Sequence, residues 1–149
     1  MLRILFLCSL FILLGGNLYS QNNSKDIVDI SVSSLADSAK LNYYTIMLNI
    51  NIKEGWHINS NKPFDNYLTP TSVKLKDSSD VRIVNNEYPA EQIAKLQFSD
   101  SDLSLYEGNV LVRITIESTR KKVQFEMQYQ SCNNQTCLFP VQKTLNVNL

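Results

Sequence analysis

The stretch YTIMLNINI, residues 44–52, places a large apolar side chain at every second position from Tyr44 to Ile52. The positions between them hold a threonine, a methionine and two asparagines. Successive side chains of a β-strand point to opposite faces, so this alternation predicts a strand with one buried face. The fold should therefore be built from strands that cover a core on one side.

The same pattern recurs further along the chain. Period-two alternation marks residues 110–116, 123–129 and 141–147, and shorter candidate strands lie at residues 27–31, 56–59, 72–76 and 81–84. Polar turns separate these stretches, and only residues 90–96 suggest a helical turn. About eight short strands joined by polar turns predict an all-β, two-sheet β-sandwich.

The N-terminus has the layout of a secretory signal peptide. Arg3 gives a positive start, residues 4–14 form an almost unbroken apolar run, and small or polar residues follow up to Ser20. The apolar run of 11 residues is well short of the roughly 20 that a transmembrane helix needs. We therefore expect cleavage after Ser20, loss of Cys8, no retained membrane anchor, and one periplasmic or secreted domain over residues 21–149.

Composition excludes several functional classes. Residues 21–149 contain 13 Lys and Arg against 14 Asp and Glu, so the expected mature chain is nearly neutral. It has no basic stripe, which argues against a nucleic-acid partner. Gly55 and Gly108 are the only glycines that remain, too few for a glycine-rich phosphate loop.

His57 is the only histidine of the chain. A serine or cysteine hydrolase would need it as the base, yet no spacing pairs it with a nucleophile. A zinc site needs about four ligands, and His57 with Cys132 and Cys137 supplies only three. The local pattern instead predicts a strand in which Trp56 and Ile58 pack inward and His57 is half exposed. We expect neither a metal nor a cofactor.

Cys132 and Cys137 are the only cysteines of residues 21–149, and the four residues NNQT separate them. In an exported chain such a pair is expected to form a disulfide. The bond would close a small hairpin loop, which stabilises a protein by about 2 kcal/mol, against nearly 5 for a loop of about a hundred residues. The spacing alone leaves two alternatives open, namely a structural staple and an accessible redox couple.

An ordered set of motifs resembles the N-terminal domain of the thiol:disulfide interchange protein DsbD. The motifs span most of residues 40–149 and comprise GWHINSNKP at 55–63, YLTPT at 67–71, Tyr88-Pro89, Phe98, YEG at 106–108, and Tyr129-Gln130 followed by Cys132 and Cys137-Leu138-Phe139-Pro140. The resemblance implies an immunoglobulin-like β-sandwich in the periplasm. It also implies a protein-disulfide reductase component whose dithiol takes electrons from a thioredoxin-like or membrane donor and reduces disulfide-bearing acceptor proteins.

The resemblance also implies roles for individual residues. Cys137 would form mixed disulfides with partners, and Cys132 would resolve them. The family shields its cysteines with a cap loop that carries an aromatic residue, and residues 94–101 with Phe98 occupy that position here. No Lys, Arg or His neighbours the cysteine pair in sequence, so we expect an unactivated thiol, with only a few per cent thiolate at neutral pH, and slow exchange.

Two departures from the family pattern affect these expectations. Better-known members place five residues between the cysteines, whereas this chain has four. Full-length members also continue into a multi-span membrane domain and a thioredoxin-like domain, so we expect a stand-alone module that a separate protein reduces. The alternative function is a non-catalytic exported binding module in which the disulfide is structural.

Overall fold

The computed structural model describes residues 24–149, which form eleven strands and one short helix, α1 (Ser24–Ile27). The strands are β1 (Val28–Ala36), β2 (Tyr43–Ile52), β3 (His57–Asn59), β4 (Ser72–Leu75), β5 (Val81–Glu87), β6 (Gln92–Ala94), β7 (Leu103–Glu107), β8 (Asn109–Ser118), β9 (Lys122–Tyr129), β10 (Ser131–Cys132) and β11 (Val141–Asn148). The expected signal peptide and Cys8 lie outside the described residues. No helix within residues 24–149 has the length and apolarity to cross a membrane.

The described strands form three antiparallel sheets, with the orders β1-β2-β8-β5, β11-β9-β4 and β10-β3-β7-β6. All three sheets contribute side chains to one main core, represented by Leu48 of β2, Phe125 of β9 and Ile58 of β3. The predicted all-β sandwich is therefore confirmed. The structure has more strands than the eight or so expected. The additional ones include very short strands, such as β6 and β10, which the sequence pattern does not predict.

The alternating pattern of the sequence predicts the long strands correctly. On β2 the side chains from Ile46 to Ile52 are buried at every second position. Strand β8 pairs with β2 residue by residue and repeats the pattern from Val110 to Ile116. The apolar faces of these two central strands share the main core with β9, whose residues Val123 to Tyr129 alternate in the same way.

The helical turn expected at residues 90–96 is wrong, because this segment contains strand β6. Strand β6 pairs only with β7, at the edge of its sheet. Its side chains are exposed or partly exposed, so its sequence lacks the period-two apolar pattern that marks the other strands. Strand β7 was also missed, since four of its residues in a row are buried.

Buried runs such as β7 arise because sheet β10-β3-β7-β6 is covered on both faces. Tyr106 of β7 packs in the main core, whereas its neighbours Leu103 and Leu105 belong to a second, smaller core. That small core also includes Leu96 and the partly buried Leu68. Residues 61–71 and 95–102, here called the covering segments, therefore lie over the outer face of this sheet.

Candidate functional site

Cys132 and Cys137 are joined by a disulfide at the end of the sheet that the covering segments overlie. Cys132 is the last residue of β10, and Cys137 pairs with it as an isolated antiparallel bridge. Cys132 is completely buried, while Cys137 is partly exposed. The two cysteines therefore differ in exposure, and Cys137 is the more accessible residue of the pair.

The four residues between the cysteines form a tight polar turn, as expected. The Asn133 N–H donates to the Thr136 carbonyl over 2.9 Å. The side-chain oxygen of Asn133 also accepts the backbone N–H groups of Gln135 at 2.8 Å and Thr136 at 2.9 Å. Asn133 thus mimics a backbone turn and closes the loop locally. The turn itself is exposed, so the hairpin presents the cysteine pair at the surface.

Gln130 attaches this hairpin to the rest of the site. Its Oε1 accepts the side-chain amide of Asn59 and the backbone N–H of Thr69, both at 3.1 Å. Its Nε2 donates to the carbonyl of Leu138 at 3.1 Å. The Asn59 amide also donates to the Thr69 carbonyl at 3.0 Å. One glutamine therefore links β3, a covering segment and the segment after Cys137.

No feature of the sequence marks Gln130 or Asn59 as site residues. Both lie within the motifs that carry the family resemblance. Their hydrogen-bond partners, however, come from distant parts of the chain. The motifs therefore show that these residues are typical of the family but do not show what they contact. Burial of amide groups that are hydrogen-bonded in this way fixes their orientation, and this makes the hairpin a defined rather than a loose structure.

His57 is buried, with 3 % of its surface exposed, so the expectation of a half-exposed side chain is wrong. The reason is the second core, which covers the face of β3 that was expected to meet water. Burial also lowers the pKa of His57 from 6.5 to about 4, so the imidazole is neutral at physiological pH. Its Nε2 has no hydrogen-bond partner among the described residues.

His57 also lies closer to the cysteines than the sequence suggested. Strand β3 pairs with β10, and the register sets His57 directly opposite Cys132. On its other side, β3 pairs with β7, where Glu107 is opposite His57. The expectation that no histidine neighbours the pair holds for the sequence alone, because the antiparallel pairing brings one alongside.

Phe98 belongs to the second covering segment, two residues after the buried Leu96. Its side chain is 39 % exposed, so it is not a core phenylalanine. Three further aromatic side chains near the covering segments and hairpin are strongly exposed: Phe64 at 57 %, Tyr67 at 96 % and Phe139 at 91 %. That Phe98 acts as a cap over the cysteines stays a prediction.

Comparisons with known proteins agree with this architecture. The family model described as "Thiol:disulfide interchange protein DsbD, N-terminal" matches residues 31–149. Among solved structures, the N-terminal periplasmic domain of ScsB from Proteus mirabilis superimposes with a TM-score of 0.64 at 12 % identity. This match covers 83 % of the present chain and 47 % of the ScsB chain, so the present chain spans about half of that relative.

A second solved structure is similar over nearly its whole length. The N-terminal domain of DsbD from Neisseria meningitidis, in its reduced form, superimposes with a TM-score of 0.58 at 14 % identity. This match covers 85 % of the present chain and 94 % of that chain. No curated protein matches the sequence closely enough to count as a relative. At such low identities, the structural matches establish the shared fold.

Proposed function

Because the chain belongs to the family of DsbD N-terminal domains, we propose that it is an exported thiol–disulfide exchange module. It passes electrons through the Cys132–Cys137 pair, from a thioredoxin-like or membrane donor protein to disulfide-bearing acceptor proteins. The unequal exposure of the two cysteines is the observation that carries this proposal. A purely structural staple gains nothing from having one cysteine partly exposed and the other completely buried.

Thiol–disulfide exchange requires a thiolate that attacks a sulfur atom in line with the bond that breaks. In the reduced module, the Cys137 thiolate attacks the disulfide of an acceptor and releases one acceptor cysteine as a thiolate. Cys132 then attacks the sulfur of Cys137, and the second acceptor cysteine leaves. The acceptor gains two electrons and two protons, and the module returns to the disulfide state. The donor reduces the module by the reverse sequence.

The partly exposed Cys137 suits the first step, since the attacking thiol must reach a large protein partner. The buried Cys132 suits the second step, which is intramolecular and needs no access from solvent. Phe98 and the covering segments would limit the access of small thiols to the pair. This arrangement supports a module that exchanges with protein partners rather than a general oxidant.

Export is the second part of the proposal. Residues 1–20 have the pattern of a cleaved signal peptide. The ScsB structure that the chain resembles is described as a periplasmic domain. A disulfide persists in such an oxidising compartment and would be short-lived in the cytosol. We therefore place the module in the periplasm or outside the cell.

Trapping of mixed disulfides tests the proposal. The Cys132→Ser variant should accumulate a covalent complex with a thioredoxin-like protein that keeps only its first cysteine, activated as a mixed disulfide with thionitrobenzoate. The Cys137 thiolate displaces the thionitrobenzoate, and no second cysteine is present to resolve the new bond. The Cys137→Ser variant is the matched control and should form none, although it also retains a single thiol. Equal complex formation by both variants would contradict the assigned roles.

A redox titration separates the proposal from the structural alternative. A structural disulfide typically has a reduction potential below about −300 mV, and an exchanging pair is easier to reduce. A potential below that value, with no trapped complex, would favour the non-catalytic binding module.

A further inference from the structure

The register between β3 and β10 sets a titratable side chain against the cysteine that has to resolve mixed disulfides. His57 and Cys132 are directly opposite in this antiparallel pair. Opposite residues of such a pair project from the same face, with Cβ atoms about 5 Å apart. His57 is 3 % exposed and Cys132 is completely buried, so the space between them is shielded from bulk water.

The Nε2 atom of His57 has no hydrogen-bond partner among the described residues. Buried polar atoms are nearly always paired, so an unpaired one calls for an explanation. In the oxidised protein the sulfur of Cys132 is bonded to Cys137 and has no proton to donate. Reduction converts that sulfur into a thiol, which supplies the missing donor on the same face.

We propose that His57 accepts the proton of the Cys132 thiol when Cys132 resolves a mixed disulfide. The inference rests on the proposed exchange function and assigns a residue to its second step. Cys132 needs such help because it is buried and has no cationic neighbour in sequence. The thiolate is the form that attacks, so a buried thiol needs a group that can take its proton.

The proton and the electron pairs balance in this step. With its own proton on Nδ1, neutral His57 accepts the thiol proton at Nε2. The sulfur of Cys132 attacks the sulfur of Cys137, and the bond between Cys137 and the partner breaks. The partner sulfur leaves as a thiolate and takes the proton that the imidazolium holds. His57 returns to its neutral form, and the new bond is the disulfide seen in the structure.

The other groups around His57 are not placed to accept the thiol proton of Cys132. Glu107, opposite His57 on β7, is exposed and negatively charged. Asn59, on the same face of β3, already donates its amide to Gln130 and Thr69. The charged residues of the covering segments are all exposed: Lys62, Asp65, Lys95, Asp100 and Asp102. The pKa of His57 is lowered by burial and not by any of these charges.

The first test measures the thiol of Cys132 alone, in the reduced Cys137→Ser protein. Its ionisation is followed by the ultraviolet absorbance of the thiolate as pH rises. After taking the thiol proton, His57 carries a hydrogen on Nε2 that it donates to the thiolate, and its Nδ1 proton can leave to solvent. Adding His57→Phe should therefore raise the titration midpoint by about one pH unit or more, because phenylalanine has no N–H to donate to the thiolate. An unchanged midpoint overturns the inference. This measurement involves no partner, so it remains valid even if the proposed exchange function fails.

Ser131→Ala is the matched control. Ser131 precedes Cys132, is equally buried, and also has an unpaired side-chain oxygen. It is opposite Ile58, whose side chain packs in the main core, so it lies on the other face of the sheet. The substitution should leave the Cys132 midpoint unchanged. A shift equal to that of His57→Phe would mean that loosened packing, rather than His57, sets the ionisation of the thiol.

The second test measures the two steps of exchange separately, with glutathione disulfide as the probe and both cysteines present. His57→Phe should leave the attack by Cys137 unchanged and slow resolution by about tenfold, so the mixed disulfide accumulates. His57→Gln, which keeps a polar side chain of similar size but is not a base, should slow resolution equally. Wild-type resolution in His57→Gln overturns the inference. A reduced wild-type protein that is oxidised neither by glutathione disulfide nor by an oxidised thioredoxin-like protein refutes the proposed function instead.

Discussion

Replacing His57 with phenylalanine should abolish most of the loss of stability that the folded protein suffers between pH 6.5 and pH 4. Burial lowers the pKa of His57 from 6.5 to about 4. As the pH falls through this window, the unfolded chain binds a proton at His57 before the folded protein does. Protonation therefore favours unfolding, and stability declines towards pH 4 and then levels off. Each pKa unit corresponds to about 1.4 kcal/mol, so the decline attributable to His57 is up to about 3 kcal/mol.

Urea unfolding of the oxidised protein at a series of pH values measures this decline. The difference between wild type and His57→Phe should be constant above pH 6.5 and should shrink or reverse towards pH 4. Asp77 does not interfere, because hydrogen bonds from Ser79 and Arg120 lower its pKa to about 2 and so its effect lies at more acidic pH. Parallel curves for the two proteins would refute the reasoning, since they would show that His57 titrates alike in both states.

Three further substitutions or treatments have defined outcomes. Reduction of the Cys132–Cys137 disulfide should lower the free energy of unfolding by about 2 kcal/mol, as measured by urea unfolding, because the bond closes only a small loop; a much larger loss would argue for a staple of the whole fold. Gln130→Ala should cost about 2 kcal/mol by the same assay, since it removes three partly buried hydrogen bonds at once, whereas the exposed Gln124→Ala should cost less than about 0.5 kcal/mol. Phe98→Ala should speed reduction of the disulfide by dithiothreitol several-fold without changing stability, and an unchanged rate would exclude Phe98 as a cap.

The long strands could be predicted because each has one face in the core and one towards solvent. Strands β2, β8 and β9 show this plainly, since their apolar residues alternate with polar ones. The β-sandwich follows from them, although the structure divides its strands among three sheets, and so does the position of the cysteine hairpin after β9. The short strands could not be predicted in this way. Strand β6 is exposed on both sides, and β7 is buried on both sides, so neither alternates.

The wrong prediction that His57 is half exposed has the same cause as the missed short strands, namely a strand whose burial does not alternate. Strand β3 has only three residues, and all of them are buried. The alternation rule assigns one face of such a strand to water, whereas here the covering segments exclude water from that face. The approach of His57 to Cys132 depends on a pairing between strands that are far apart in sequence. The local sequence pattern therefore singled out both His57 and Cys132 but did not predict that they are neighbours in the sheet.

Burial of His57 has opposite consequences for stability and for exchange, and this separates a functional histidine from a structural one. An exposed histidine with an ordinary pKa of 6.5 would be about a quarter protonated at pH 7, and its ring nitrogens would form hydrogen bonds with water. Burial keeps the imidazole neutral and its Nε2 unpaired, at the cost of stability in acid. His57→Phe should therefore make the protein more tolerant of acid and slower to resolve mixed disulfides. Replacing a histidine that served only to fill space would change the tolerance of acid but would not slow the resolution of mixed disulfides.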